Sequence, residues 1–384
     1  MIGFDFTTAG RIIFGVGTIS EIKRLVGEQS RVLLVQGPES ANAARVEELL
    51  LSLRCKVQNF IVAEEPTVVL IRQGIELARG IAIDWVVAVG GGSVIDAGKA
   101  IAGMTTNAGD ILDYLEVVGK GATLKNPSLP MIAAPTTAGT GSEVTRNAVI
   151  NVTEKKFKAS LRSPFLLPKA AIVDPELGLT MPPAVTASTG MDALAQVLEP
   201  FVSTRANALT DIFCREGLRL AARSVVKAFR NGSDLTARSE MAYTSLLGGL
   251  ALANAGLGAV HGFASPIGGM YAAPHGAVCA RLLPGVVRAN VAALRQREPE
   301  NPVLEKFNII AEVLTQSPSA SIKDGIRWLQ DLLTILEIRP LKAYGITEGD
   351  IPSIAEKAAA ASSMKANPII LNQAELEKIL TEAL

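Results

Sequence analysis

The sequence predicts two domains of different class: a doubly wound α/β domain over residues 1–181 and an all-α domain over residues 182–384. Three observations carry this. The 384 residues exceed the roughly 250–300 at which one hydrophobic core stops growing. Short β-branched runs alternate with amphipathic helical runs through the first half. Beyond Asp174-Pro175, from about Met181-Pro182-Pro183, strand signals vanish and long Ala/Leu-rich patterns take over.

Taken in order, the strands are expected at Arg31–Gln36, Val57–Val62, Trp85–Val89, Met131–Ala134 and Ala171–Val173. Between the first three, 39–53 and 68–80 place apolar residues at helical spacing. A helix joining two strands forces them parallel, and helices on both faces of such a sheet make a doubly wound domain. In the second half, helical patterns run over 207–230, 235–257 and 322–335. The tail, 351–384, reads as a short helix, a break at Lys365-Ala366-Asn367-Pro368, and a last amphipathic helix capped by Asn372 ahead of Glu375. Neither an internal repeat nor a low-complexity linker interrupts the chain.

Composition narrows the function classes. With 48% hydrophobic and 19% charged residues the chain can bury a large core, which argues against disorder. Lys plus Arg and Asp plus Glu each total 37, so no broad field exists to hold nucleic acid or an anionic membrane. Cys55, Cys214 and Cys279 are odd in number and far apart, which supports neither a disulfide framework nor a Cys-x-x-Cys metal site and fits a reducing compartment. Residues 1–15 carry Asp5 and Arg11 among apolar residues and show no export signal. Residues 241–280 contain no Asp, Glu, Lys or Arg, yet Pro266, Pro274, Asn254, His261 and His275 interrupt them, so they read as the interior of a helical domain rather than a membrane span. The expectation is a soluble cytoplasmic protein that binds neither nucleic acid nor membrane and forms a homodimer or higher homo-oligomer.

Two turns carry chemistry. Val86–Val89 runs into Gly90-Gly91-Gly92-Ser93 and then into the helical Val94-Ile95-Asp96-Ala97-Gly98-Lys99. A side-chain-free turn between a buried strand and a helix lets backbone N–H groups approach an anion, and the helix N-terminus adds about half a positive charge. A second loop, 134–145, follows another strand and gathers Thr136, Thr137, Thr140, Ser142 and Thr145 among small residues. It suits a sugar, an amide or a phosphate, and equally a turn with capping residues.

A third group looks like a metal site. Gly190-Met191-Asp192-Ala193-Leu194-Ala195-Gln196 is read as the beginning of a helix, with Asp192 and Gln196 four apart on one face. The chain has two histidines, His261 and His275, both in the uncharged segment. One carboxylate and two imidazoles suit a divalent ion, and hydrogen-bonded structural histidines are the alternative.

In the same order along the chain, Gly90-Gly91-Gly92-Ser93 with Asp96 and Lys99, Pro135–Thr145, Asp174-Pro175-Glu176-Leu177, Gly190-Met191-Asp192-Ala193-Leu194 and Pro274-His275-Gly276 closely resemble the iron-containing (group III) alcohol dehydrogenases. The resemblance implies the dehydroquinate-synthase-like fold: a nucleotide-binding α/β domain, a helical domain and an active site in the cleft between them. It implies that Gly91, Gly92 and Ser93, with Asp96 in the same motif, serve the pyrophosphate. It further places Thr136, Thr137, Thr140 and Ser142 about the nicotinamide and ribose, with Lys158 approaching the ribose.

The family's metal, held by one Asp and three His, maps onto Asp192, Gln196, His261 and His275, so one histidine is replaced by glutamine. An amide oxygen is a poorer donor to iron or zinc than imidazole, and the resemblance leaves bound iron or zinc and no ion at all both open. Ser265 stands where the family carries a further histidine, so proton relay must differ. The strand ending in Gln36-Gly37 lacks the aspartate with which NAD-preferring relatives grip the ribose 2′-hydroxyl. Gly37 thus favours NADP, while Glu39 close by keeps NAD open.

The activity implied is hydride transfer between NADP or NAD and a small alcohol, aldehyde or ketone, with His261, His275 and Asp192 as the catalytic group. Alternatives are a metal-free oxo-acid reductase like the maleylacetate reductases, a dehydroquinate-synthase-like lyase, and a cofactor-binding protein without turnover. Phe157, Phe263, Tyr271 and Lys365 are expected to line the substrate pocket.

Overall fold

In a computed structural model the described residues are 3–155 and 157–384; Met1 and Ile2, at the start of the expected first domain, and Lys156 lie outside them. The chain divides into two compact units. One comprises Thr8–Thr137 and Gly141–Thr180. The other comprises Met181–Leu384 with Ala138–Thr140 and the described residues up to Thr7.

In the first unit the strands are β1 (Ile12–Phe14), β2 (Arg31–Gln36), β3 (Lys56–Ile61), β4 (Trp85–Gly90), β5 (Met131–Pro135), β6 (Asn147–Val152), β7 (Phe157–Arg162) and β8 (Ala170–Val173). Six of them form one sheet in the order β1-β8-β5-β4-β2-β3, and every pairing is parallel. Period two sends Leu33, Val35, Val86 and Ala88 into the core on one face and Val32, Leu34, Val87 and Val89 into the core on the other. The helices Ala41–Ser52 and Val68–Gly80 start where Ser40 and Thr67 accept the backbone N–H groups of Ala43 and Leu70. Three strands were not expected: the short β1 and the antiparallel β6-β7 hairpin.

The second unit is helical. The helices over Ala208–Arg230, Leu235–Ala255 and Ile322–Ile335 stand where the periodicity puts them, and Asn207 and Ser321 close capping boxes at two of the starts. Asn372 and Glu375 form the expected box at the last helix, Gln373–Ala383. One expectation needs correction: the helix bearing Asp192 begins at Pro183 and runs to Val202, so Asp192 lies in its middle and not in its first turn. Proline fits a first helical position, where its missing N–H is not needed. The uncharged segment falls into three helices, Leu235–Ala255, Ala259–Met270 and His275–Arg297. The last is long and apolar enough to cross a membrane, but it is mostly buried within the protein.

Candidate active site

The glycine turn behaves as its composition demands. β4 ends at Gly90, Gly91 is the N-cap, and the helix Gly92–Thr105 follows with no side chain capping it, so its first amides are left for an anion. A cavity at this turn is lined by Gly37, Glu39, Ser40, Gly91, Thr136 and Thr180 among others. It thereby brings together Gly37, Gly91 and Thr136 from three strand ends, and a Cβ on Gly91 would come within 3.3 Å of the Thr137 side chain. Gly92 and Ser93 are the first residues of the helix.

Asp96, Ser142 and Lys158, also expected at the cofactor, have side-chain partners within the protein. Asp96 is buried; its carboxylate accepts from Ser142 Oγ and, at 2.9 Å, from Val149 N. Lys99, also buried, donates from Nζ to Ser142 Oγ at 2.8 Å, Thr145 Oγ1 at 2.9 Å and the Asn147 carbonyl at 2.9 Å. Asp96 and Ser142 therefore belong to an interior network that ties the phosphate-turn helix to the hydroxyl-rich loop. Lys158 pairs with Glu65, 2.5 Å away, and Thr140 falls in the short segment grouped with the helical unit.

In the helical unit three helices converge on one cluster. The Pro183–Val202 helix presents Asp192, Gln196 and Glu199 at spacings of four and three, hence on one face. His261 comes from Ala259–Met270, and His275 opens the helix His275–Arg297 one turn before Cys279. Gly276 makes the approach feasible, because a Cβ there would lie 2.2 Å from the Ser188 carbonyl oxygen. His261 Nε2 lies 3.2 Å and His275 Nε2 3.7 Å from Asp192 Oδ1. Cys279 Sγ is 3.6 Å from His275 Nε2 and 3.8 Å from His261 Nε2. Asp192 and His261 are almost sealed from solvent, whereas the His275 side chain is 37% exposed.

The far sides of these groups are also held. His261 Nδ1 faces Glu199 Oε2, and Glu199 Oε1 accepts from Val260 N at 2.6 Å. The Asn367 side-chain oxygen accepts from Ala259 N at 3.0 Å, and its amide donates to Asn290 Oδ1 at 2.7 Å. Two remote side chains thus satisfy the first amides of the helix that carries His261. Gln196 Nε2 donates to the Gly139 carbonyl at 3.0 Å and to Asp192 Oδ2 at 3.3 Å, while its Oε1 is buried with no hydrogen-bond partner.

The charges interlock. Burial would raise the Asp192 carboxyl, but the imidazoles of His275 and His261 hold it below the usual carboxylate range. Burial would lower His261, yet Cys279, Asp192 and Glu199 keep it well above the ordinary imidazole value. Burial also pushes the Cys279 thiol up, and the two imidazoles outweigh that and pull it down. Carboxylate, imidazole and thiol atoms within 4.8 Å of one another, beside an unpartnered amide oxygen, fit a divalent cation.

Sequence reasoning missed Cys279 and Glu199. Both left a signal, Cys279 four residues after His275 and Glu199 three after Gln196, each one helical turn on. The expected pocket residues fare differently: Phe263 is fully buried, a correction to its place in a pocket, because its side chain packs among the apolar residues of the helical core. Burial, with Asp350 beside it, pushes the Tyr271 hydroxyl up to about 12, and Lys365 is exposed.

Both parts of the chain match one known family. Residues 9–175 match the family described as iron-containing alcohol dehydrogenase, and residues 186–384 match the C-terminal part of the Fe-containing alcohol dehydrogenase family. The chain is 36% identical to a 1,3-propanediol dehydrogenase of Citrobacter freundii over 99% of its own length and 98% of the relative's. It is 33% identical to alcohol dehydrogenase 4 of Saccharomyces cerevisiae, covering 96% of each chain. A crystal structure of 1,3-propanediol oxidoreductase superposes with a TM-score of 0.92 at 36% identity, covering 100% of both chains. With both units matched and its acid–imidazole cluster assembled, the chain belongs to the iron-containing alcohol dehydrogenase family and is an oxidoreductase acting on CH–OH groups.

Proposed function

We propose that the chain reversibly transfers a hydride between a nicotinamide dinucleotide and the carbinol carbon of a small alcohol, with the Asp192 cluster holding the substrate oxygen. Family membership implies NAD(H) and a metal ion. When bound, the nicotinamide supplies or takes the hydride and a divalent ion adds Lewis acidity. Asp192, His261 and His275 would hold that ion, and Gly91, Gly92 and Ser93 with Thr136 and Thr137 would hold the dinucleotide. The observation that carries the reading is the convergence of Asp192, His261 and His275 on one point from three separate helices.

The residues divide the remaining tasks by burial. Asp192, itself almost sealed from solvent, supplies fixed negative charge where electrostatic effects are strong. His261, locked by Glu199, is held in one orientation. His275 reaches solvent and is the group suited to pass the alcohol proton outward. The same atom could donate a hydrogen bond to a substrate carbonyl in the metal-free variant of this chemistry.

Coenzyme choice rests on two residues. A Cβ at Gly37 would meet nothing within 4 Å, which leaves room for a ribose 2′-phosphate and supports NADP. Among the described residues Glu39 is the one charged residue lining that cavity, and it supports NAD. A small-molecule alcohol or aldehyde, a cytoplasmic setting and a homo-oligomer complete the proposal.

The decisive assay is aldehyde and ketone reduction with NADH and NADPH, with metal content determined beforehand and activity repeated under excess chelator. Oxidation of the nicotinamide with at least one small carbonyl supports the reading. Binding of the dinucleotide without any absorbance change across the panel would overturn it in favour of a lyase or an inactive binder.

A further inference from the structure

We infer that the Cys279 thiolate is the fourth donor of the metal site, making an Asp-His-His-Cys set that selects zinc over iron, while Gln196 holds Asp192 from outside that set. The inference rests on the reading that this cluster binds a divalent ion, and it names the donors and the ion.

Geometry is the first argument. Bonds of about 2.0–2.3 Å to N, O and S donors in a tetrahedron place neighbouring donors roughly 3.3–3.8 Å apart. In the structure His261 Nε2 to Asp192 Oδ1 is 3.2 Å, His275 Nε2 to Asp192 Oδ1 is 3.7 Å, and Cys279 Sγ to the two imidazoles is 3.6 and 3.8 Å. Every pair in the set lies within 4.8 Å. A buried free cysteine is usually a small apolar filler. Here the sulfur instead faces two ring nitrogens, and it is placed there by the same helix that presents His275 one turn earlier.

Gln196 is oriented independently of the cysteine. Both groups that Gln196 Nε2 contacts, the Gly139 carbonyl and Asp192 Oδ2, are acceptors, so turning the amide over would set oxygen against oxygen. The end that faces Asp192 is therefore the nitrogen, whose lone pair is delocalised into the amide. Gln196 thus steadies Oδ2 while Oδ1 faces the rings. Its buried Oε1 is the rival fourth donor.

Chemistry sets the ion. Binding forms a sulfur–metal bond, and the thiol proton leaves to solvent. Carboxylate plus thiolate then balance a dication, and a thiolate favours zinc over the harder ions that carboxylate and imidazole sets accept.

The test uses full-length protein stripped with chelator and titrated with cobalt(II), with zinc competition as the second arm. Wild type should develop a near-ultraviolet thiolate-to-cobalt charge-transfer band that saturates at one equivalent and is displaced by zinc in preference to ferrous iron. Cys279→Ser should lose that band and bind cobalt roughly tenfold or more weakly, whereas Gln196→Ala should keep the band. No band in wild type, a band unchanged in Cys279→Ser, or no cobalt uptake would overturn the assignment, and the wild-type spectrum decides alone if a variant fails to fold. The dehydrogenase reading fails separately: a full charge-transfer band in a zinc-competent protein that never turns over nicotinamide would sink that reading and leave the thiolate standing.

Discussion

His261 Nδ1 lies 2.6 Å from Glu199 Oε2, and this one pairing decides which face of the imidazole meets Asp192. A ring nitrogen committed to a carboxylate leaves the other as the ligand or hydrogen-bonding atom, so Glu199 positions the site without entering it.

Replacing Glu199 tests that role. Glu199→Ala removes the acceptor for His261 Nδ1 and for Val260 N together. Metal retention in chelator competition should fall about 10–100-fold, with a loss of stability on the order of 1–3 kcal/mol from the buried amide left unpaired. Glu199→Gln retains an oxygen acceptor and should fall between Glu199→Ala and wild type. Equal retention in all three proteins would remove Glu199 from the site.

Gln196→His supplies an imidazole where the chain has an amide. The prediction is slower loss of bound divalent metal on dialysis, read by elemental analysis over time. If histidine at 196 leaves the loss rate unaltered, the glutamine is not what limits the affinity of this site.

Gly90→Ala separates the two halves of the proposed chemistry. A Cβ at position 90 would lie 2.6 Å from Val94 Cβ in the first turn of the following helix, and a β-branched valine has little freedom to yield. The expected cost is about 1–3 kcal/mol, with weaker NADH binding in a fluorescence titration and unchanged metal content. Undiminished binding would show that the turn can shift without harm to the dinucleotide site.

Glu143 gives a pH signature. Burial pushes its carboxyl up to about 7, the nearby Lys99 opposing the shift. A raised acid contributes stability that is full below its ordinary value and is lost as pH climbs through about 7. Glu143→Gln should therefore gain on wild type between pH 5 and pH 7.5, by up to about 3 kcal/mol. Lys99, pushed down to about 8 by burial, adds the reverse slope only at higher pH. Denaturant titrations at both pH values check this, and parallel curves would contradict the burial of an ionisable carboxyl.

Much of the fold was legible because β2, β4 and β5 are runs of small and β-branched residues buried on both faces, and because Asn372 announces the start of the last helix. β1 escaped notice because three residues carry no periodicity. The β6-β7 hairpin alternates buried and half-buried residues on strands that follow directly on the hydroxyl-rich loop, which masks its period of two. At the site, Asp192 and both histidines could be named from the sequence. For Cys279 the sequence offers only its place one helical turn after His275, a weak sign because a lone buried cysteine is usually an apolar filler, and it is packing that sets this thiol beside two rings.

Asn367 has a consequence for how the molecule is made. It braces the helix that carries His261, yet it is synthesised after Asp192, Glu199, His261, His275 and Cys279. A nascent chain therefore exposes all five side chains before the residue that braces the His261 helix leaves the ribosome. The cluster's final geometry thus belongs to the closing stage of biogenesis, and a chain halted short of residue 367 carries the same side chains without that brace.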